Sequence, residues 1–181
     1  VPAALSAWSI PFDQLGEGAK YHEHDPKEAR RLLKEAGHGN GFATTLDYAT
    51  YGSQELIDLV QMAVKFFKDV GIEVKVNEKP YAAYFASAYV GKYEGLMMGP
   101  QFPALDPYNF LAQYLPGEPK NQSHVNDPAL GDMILNSSRT LDEKKRRKQI
   151  YDIQKHIAKQ VYYLRLDSAI YIAALDPALK D

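Results

Sequence analysis

The sequence contains no cysteine. This absence excludes disulfide bonds, thiolate metal sites and cysteine nucleophiles. The sequence also lacks a long hydrophobic run, since its apolar stretches, such as residues 170–175, fall far short of the roughly 20 residues that cross a bilayer. The formal net charge of −2 gives no reason to expect a polyanionic partner.

The sequence also lacks the common catalytic patterns. No Gly-x-Ser-x-Gly turn is present, so a serine nucleophile of the hydrolase type is not expected. Gly-x-Gly occurs at Gly16 and Gly39, but no long apolar strand precedes either and the other glycines of a phosphate-binding loop are missing. We therefore expect neither a cofactor nor an enzymatic activity.

The densest set of metal-capable side chains is His22-Glu23-His24-Asp25. Two histidines separated by one residue share a face on a strand and can both reach a metal there. However, Asp25 is better placed as a helix cap, and the nearby sequence offers no third ligand. We expect no metal site, and a small metal-dependent α/β enzyme remains the alternative function that a bound transition metal would support.

The basic run 144–148 is the only feature that suggests nucleic acid. Its apolar neighbours Ile150 and Ile153 continue at helical spacing, which is typical of the solvated side of an amphipathic helix. No aromatic residues are interleaved with the basic ones, so we expect no nucleic-acid partner.

Residues 1–20 are predicted to be an irregular lead-in. Asp25 and Pro26 then indicate a helix start, with Glu28 completing a capping box, and Gly37 ends the helix. A strand over 43–49, a helix over 53–70 and a strand over 72–76 follow. This βαβ order predicts two parallel strands.

The second half continues the alternation. We predict a short helix from Pro80 to about residue 89, a strand over 93–99 and a proline-rich loop over 100–107. Asp106-Pro107 and Asp127-Pro128 indicate further helix starts, and Thr140 with Glu143 is predicted to cap the last long helix, which turns Ile150, Ile153, Ile157 and Val161 inward. A final strand is predicted over 162–172. The order indicates an α/β fold, with a mixed sheet flanked by helices.

Aromatic residues make up 12% of the chain, and many lie outside periodic stretches, including Tyr51, Tyr81, Tyr84 and Phe102. A tyrosine combines an apolar ring with a polar tip, which suits a wet cleft that holds a ligand without reacting with it. Most of these rings are expected to serve in packing, and about a quarter are expected to face a ligand.

Three stretches together resemble one family. The first joins Tyr21, Asp25-Pro26 and residues 29–37 to Gly41-Phe42, and the second is Lys68 to Val74. The third comprises residues 91–94, Met98-Gly99 and Asp106-Pro107. Their order resembles that of the family 5 extracellular solute-binding proteins, the receptors of dipeptide, oligopeptide and nickel ABC importers.

The resemblance implies a two-lobed receptor of the type II periplasmic-binding-protein fold that encloses its ligand between the lobes. Residues 1–181 are expected to be its C-terminal ligand-binding lobe, cut from a longer protein. The implied partners are a peptide or small-molecule ligand, the N-terminal lobe and an ABC permease. The implied location is periplasmic or extracytoplasmic, with lipid anchoring through the N-terminal part of the parent protein left open. A peptidoglycan- or signal-sensing module of the same fold is a further alternative.

The resemblance also implies a ligand site after the central strand, at Gly99, Pro100, Gln101, Phe102 and Pro103, with Tyr51 beside it. In the family, a Trp and an ammonium-binding Asp align with Pro100 and Pro103, and a carboxylate-binding Arg aligns with Ala49. Both charged anchors of a dipeptide are therefore replaced here. The expected ligand is a neutral or sugar-like solute held by Tyr51, Gln101 and Phe102, or a longer peptide held by its backbone.

Overall fold

The computed structural model describes residues 1–101 and 104–166. Its helices and strands alternate along the chain: α1 (Pro26–Glu35), β1 (Phe42–Tyr48), α2 (Gln54–Asp69), β2 (Ile72–Glu78), α3 (Tyr81–Ala86), β3 (Leu96–Met98), α4 (Tyr108–Leu111), α5 (Pro128–Ser138) and α6 (Glu143–Gln160). Short 3₁₀ helices occur at Phe12–Gln14, Gly16–His22, Ala88–Val90 and Ala112–Tyr114. None of the helices in the described ranges is both long and apolar enough to cross a membrane.

The three described strands form one sheet in the order β2-β1-β3. β1 pairs with β2 in parallel from Phe42↔Ile72 to Tyr48↔Glu78, so the predicted parallel βαβ pair is confirmed. β3 joins the other side of β1, also in parallel, with Tyr48 opposite Met98. A mixed sheet was expected, and the three strands in the described residues all pair in parallel. The strand predicted over 162–172 is not formed over 162–166, and 167–172 lie outside the described residues.

Helices cover both faces of the sheet, as predicted. Alternate residues of β1 point to opposite faces. Leu46 and Tyr48 pack with Val60 of α2 on one face. Ala49, which follows β1, packs with Tyr84 of α3 and with Ala88 on the other face. The α/β class is therefore confirmed.

A second core joins the helices of the C-terminal half. Leu130 and Ile134 of α5 pack against Ile150 and Ile153 of α6, and all four are fully buried. The prediction that Ile150 and Ile153 face inward is thus confirmed. Val161 is only partly buried and ends α6 in the left-handed conformation with φ 52°.

Two capping predictions are corrected by the structure. Asp25 caps α1 by accepting from the amides of Lys27 and Glu28 at 3.0 Å. The Glu28 carboxylate, however, pairs with Arg31 at 2.6 Å, so no reciprocal capping box forms. At α6 the cap is Asp142, which accepts from the Lys145 amide at 2.7 Å.

The residue predicted to cap α6, Thr140, serves the preceding helix. Its hydroxyl donates to the Asn136 carbonyl oxygen at 2.9 Å, near the end of α5. A threonine hydroxyl can satisfy either helix end, whereas a carboxylate is an acceptor and suits the amide end only. The acidic residue two positions later is therefore the better cap.

Asp127 links α5 to α6 and to the segment that follows. One carboxylate oxygen accepts from the Leu130 amide, and the other lies 2.6 Å from His156 Nε2 and 2.8 Å from Tyr162 Oη. These hydrogen bonds, that from the Leu130 amide first among them, lower the pKa of Asp127 to about 2.

This lowered pKa of Asp127 predicts that the fold loses stability in acid. Because the folded pKa lies below that of the unfolded chain, the stabilisation is complete above about pH 4 and is lost as the pH falls through 2. We expect this carboxylate to contribute about 1–2 kcal/mol, allowing for solvent screening. Asp127→Asn keeps a capping acceptor but removes the charge. Urea unfolding at pH 6 and pH 2.5 should show a smaller loss of stability for Asp127→Asn than for the wild type, and equal losses would contradict the prediction.

Candidate functional site

The carboxyl ends of the parallel strands lie at one edge of the sheet. Tyr48 at the end of β1 pairs with Glu78 at the end of β2 and with Met98 at the end of β3. Open α/β sheets bind their ligands at this edge, where the loops leave the strands. A cavity of about 420 Å³ lies there, lined by Ala49, Thr50, Tyr51, Glu78, Lys79, Pro80 and Tyr81.

Tyr51 forms one wall of this cavity. Its backbone is left-handed, with φ 52°, a conformation that a bulky residue rarely adopts. Its ring meets that of Tyr81 edge-on at 5.1 Å and that of Tyr84 at 5.8 Å. The Tyr51 hydroxyl oxygen is buried and interacts with the Tyr84 side chain. Burial raises the pKa of the Tyr51 hydroxyl to about 12.

Tyr84 connects the loop after β1 to the loop after β3. Its ring is fully buried, and its hydroxyl donates to the Met98 carbonyl oxygen at 3.1 Å. Gly99 passes so close that a Cβ there would lie 2.2 Å from the Tyr84 hydroxyl oxygen. The glycine therefore allows the β3 loop to approach the wall formed by Tyr84 and Tyr51.

A buried ion pair lies beside the tyrosines. Lys79 Nζ lies 2.7 Å from Asp47 Oδ2, and the Asp47 side chain is only 7% exposed. Asn77 Nδ2 donates to Asp47 Oδ1 at 2.7 Å, so both carboxylate oxygens are bound. The Lys79 ammonium also donates to Ser87 Oγ at 3.3 Å.

Neither Lys79 nor Asp47 was predicted to be a site residue, although the sequence contained signals that pointed to both. The predicted parallel pairing of β1 with β2 already implied that the residues following both strands meet. Asp47 also stands between the apolar residues Leu46 and Tyr48, which indicates a buried charge in need of a partner.

The structure places the predicted site residues in different settings. Tyr51 lines the cavity, and Gly99 adjoins Tyr84. Pro100 and Gln101 are exposed, and the Gln101 side-chain oxygen accepts from the Arg165 guanidinium. Of the described residues, Gly99, Pro100 and Gln101 follow a strand at the correct edge but do not line this cavity. Phe102 and Pro103 lie outside the described residues.

The candidate metal-binding histidines have aromatic neighbours. His22 meets Phe12 edge-on at 6.4 Å, and His24 packs on Phe66 at 4.9 Å. Asp25 is engaged in capping α1. In the ranges 1–101 and 104–166, no three histidine, aspartate or glutamate side chains converge in a way that would hold a metal ion.

Three of the five basic residues in the run 144–148 of α6 form ion pairs within the protein. Arg146 binds both carboxylate oxygens of Asp106, at 2.9 and 3.0 Å. Its guanidinium also lies over the Trp8 ring, 5.1 Å from the centroid. Arg147 and Lys148 form ion pairs within the helix, with Glu143 and Asp152.

A second cavity of about 490 Å³ lies between the turn at 115–118 and α5. Its lining carries the acidic residues Glu118 and Asp132. It contains none of the residues predicted to bind a ligand, and we place the candidate site at the sheet edge.

Comparisons with known proteins show what this chain is similar to. Residues 3–122 match the family model described as bacterial extracellular solute-binding proteins, family 5 middle. The glutathione-binding protein GsiB of Pectobacterium atrosepticum is 32% identical over 84 residues, covering 42% of this chain and 16% of that protein. The di/tripeptide-binding protein 3 of Pseudomonas aeruginosa is 24% identical over 159 residues, covering 84% of this chain and 29% of that protein.

A solved structure has the same fold. The periplasmic binding protein DppA from Helicobacter pylori, in complex with the peptide STSA, superposes with a TM-score of 0.68 at 28% identity. The match covers 78% of this chain and 28% of DppA. The predicted periplasmic-binding-protein fold class is thereby confirmed, and the chain spans less than a third of the length of these proteins.

Proposed function

The chain belongs to the family 5 bacterial extracellular solute-binding proteins, and from this premise we propose that it is the C-terminal ligand-binding lobe of a two-lobed receptor for an ABC importer. The N-terminal lobe of the same protein completes the binding cleft, and a membrane permease receives the solute. The receptor works in the periplasm or an equivalent extracytoplasmic space, without catalysing a reaction.

The cavity at the carboxyl edge of the sheet is the observation that carries this proposal. Its lining includes two tyrosines, a threonine, a glutamate and a paired lysine. Such groups hold a solute through ring contacts and hydrogen bonds. An open cavity of this kind becomes a closed site when a second lobe covers it, because contacts from both sides favour the closed state.

The solute is proposed to differ from a free dipeptide. Ala49 stands at the position that we align with the carboxylate-binding arginine, and it packs against Tyr84 and Ala88 with 1% of its surface exposed. Pro100 stands at the position of the tryptophan, and Pro103 at that of the ammonium-binding aspartate. A charge-assisted hydrogen bond contributes roughly 1.5–3 kcal/mol, so the loss of both anchors lowers dipeptide affinity by orders of magnitude. A neutral or sugar-like solute, or a longer peptide held by its backbone, fits better.

Calorimetric titration of the complete receptor tests the proposal. The panel comprises the dipeptide Ala-Ala, peptides of three to six residues and neutral sugars. We expect micromolar binding by a longer peptide or a sugar, and none by Ala-Ala. Micromolar binding of Ala-Ala would overturn the solute class, and binding of no panel member would overturn solute capture.

Tyr51→Ala tests whether the cavity is the site. Removing the ring should weaken binding of the identified solute about tenfold or more, because a ring contact in the cavity wall is lost. Tyr21→Ala is the matched control, since Tyr21 is an exposed tyrosine in the 3₁₀ helix Gly16–His22. Equal affinities for the two variants would place the solute elsewhere.

A further inference from the structure

We infer that the cavity at the carboxyl edge of the sheet receives an uncharged apolar side chain of a peptide, and that Tyr81 is the residue that selects it. The inference rests on the proposed function and deepens it, since it chooses the longer peptide from the solute classes named above. It also assigns a specificity-determining residue that is not among residues 51 and 99–103, to which the family resemblance pointed.

The charged groups of the lining residues are turned away from the cavity. The Glu78 carboxylate accepts from the Tyr48 hydroxyl at 3.1 Å, and Tyr48 packs on the face of the sheet that α2 covers. The Lys79 ammonium is directed at Asp47 Oδ2, at 2.7 Å, and at Ser87 Oγ, at 3.3 Å. Neither of these two partners lines the cavity. A charged solute group placed there would therefore lose water without gaining a partner of opposite charge.

The Tyr51 hydroxyl is also engaged within the protein. It is buried and interacts with the Tyr84 side chain, so the part of Tyr51 that serves the cavity wall is its ring. The same wall contains the Ala49 methyl group and the Pro80 ring, together with the Thr50 side chain. A wall of this composition favours apolar contact.

Tyr81, the first residue of α3, is a half-exposed ring of this wall, with 52% of its surface exposed. Its ring meets the Tyr51 ring edge-on at 5.1 Å and lies 5.5 Å from the Phe85 ring. Phe85 in turn stacks on Tyr89 at 4.2 Å, so the aromatic surface continues from the cavity along α3. Because aromatic rings attract one another in offset and edge-on arrangements, Tyr81 can add a solute ring to this row.

The size and composition of the cavity favour a side chain over a sugar. Its volume of about 420 Å³ lies within the range of small-ligand pockets, roughly 300–1,000 Å³. A sugar carries a hydroxyl on most of its carbons, and each hydroxyl needs a hydrogen-bond partner when it is buried. A wall made mainly of rings and aliphatic groups leaves most of them unpaired. An aromatic or aliphatic side chain needs no such partner and gains free energy by leaving water.

Alanine tripeptides test the solute class on the complete receptor. In each peptide one residue is replaced by phenylalanine, glutamate or lysine, so the members of a set differ only in the side chain at one position. We expect calorimetry to show that, for at least one position, the phenylalanine peptide binds about tenfold or more tightly than the glutamate and lysine peptides. The ring is stabilised by leaving water, whereas the charged groups are desolvated without a partner.

Tyr81→Ala tests the residue itself. Loss of the ring should lower affinity for the phenylalanine peptide about tenfold and leave affinity for trialanine within about twofold, because only the former contacts the ring. A purely structural role of Tyr81 would lower both affinities alike. Tyr81→Phe keeps the ring and should keep the preference. Tyr21→Ala is the control, since it removes an exposed tyrosine from the 3₁₀ helix Gly16–His22.

The outcomes separate this inference from the general function. Equal affinities within every set, tighter binding of the charged peptides, or no binding of any tripeptide would overturn the inference. So would a Tyr81→Ala variant that keeps the preference for phenylalanine. Capture of a neutral sugar alone would also overturn it while leaving solute capture intact. Failure of every member of the wider panel to bind would instead overturn the proposed function.

Discussion

Tyr84→Ala is expected to lower the free energy of unfolding by about 4 kcal/mol, as for other large aromatic residues truncated in a core. Tyr84 is fully buried and packs with Ala49 and Ala88 against the sheet. Its removal leaves a cavity between α3 and the sheet that the backbone can fill only in part. Urea unfolding measured by circular dichroism would give the difference directly.

Tyr84→Phe separates the ring from the hydroxyl. It keeps the packing and removes the hydroxyl, which donates to the Met98 carbonyl oxygen, so the free energy of unfolding should fall by about 1 kcal/mol. If the alanine variant were no less stable than the phenylalanine variant, Tyr84 would not be the packing centre of this face.

Gly41→Ala should lower the free energy of unfolding by about 3 kcal/mol, because alanine would be strained in the left-handed backbone and would clash with its neighbour. Gly41 has φ 76°, and a Cβ there would lie 2.0 Å from the Gly71 carbonyl oxygen. That oxygen accepts from the Phe42 amide at 3.2 Å, where β1 and β2 begin to pair. An added methyl group therefore forces the two strands apart at their first residues.

Gly37→Ala is the matched control for this clash. Gly37 is also left-handed, with φ 85°, but a Cβ there would meet nothing within 4 Å. Only the backbone cost remains, about 1 kcal/mol. Equal losses for the two variants, measured by urea unfolding, would show that the approach of Gly41 to Gly71 is not needed for strand pairing.

Much of the fold was predictable because its signals are local. Asp25 and Gly37 mark the ends of α1 by their own chemistry. The stripe along α2, followed by Gly71 and an alternating strand, predicts the parallel pair that the structure contains. Each of these signals is carried by residues that are close to one another in the sequence.

The remainder depends on contacts between distant residues. Thr140 and Asp142 are both capping residues, and the contact of Thr140 with Asn136 decides between them. Tyr162 belongs to a segment rich in strand-forming residues, yet its hydroxyl is bound by Asp127, 35 positions earlier. The strand propensity of the residues around Tyr162 carries no information about a partner so distant in the sequence.

The candidate site was predictable only in part for the same reason. The edge of the sheet and Tyr51 followed from the order of elements and from the family resemblance. The partners of Lys79, by contrast, come from the interior of β1 and the end of α3. Their meeting depends on strand register, which a single sequence does not determine when two registers bury similar residues.

The place of β2 at the margin of the sheet has a consequence for self-association. In the described part of the chain β2 pairs on one side only, so the amides and carbonyls of its outer side are a template for another strand. Glu73 and Lys75 are exposed on this strand. If the β2 strands of two molecules paired, Glu73 and Lys75 of each would have to be desolvated. These charges therefore disfavour the edge-to-edge aggregation that an uncharged edge strand permits.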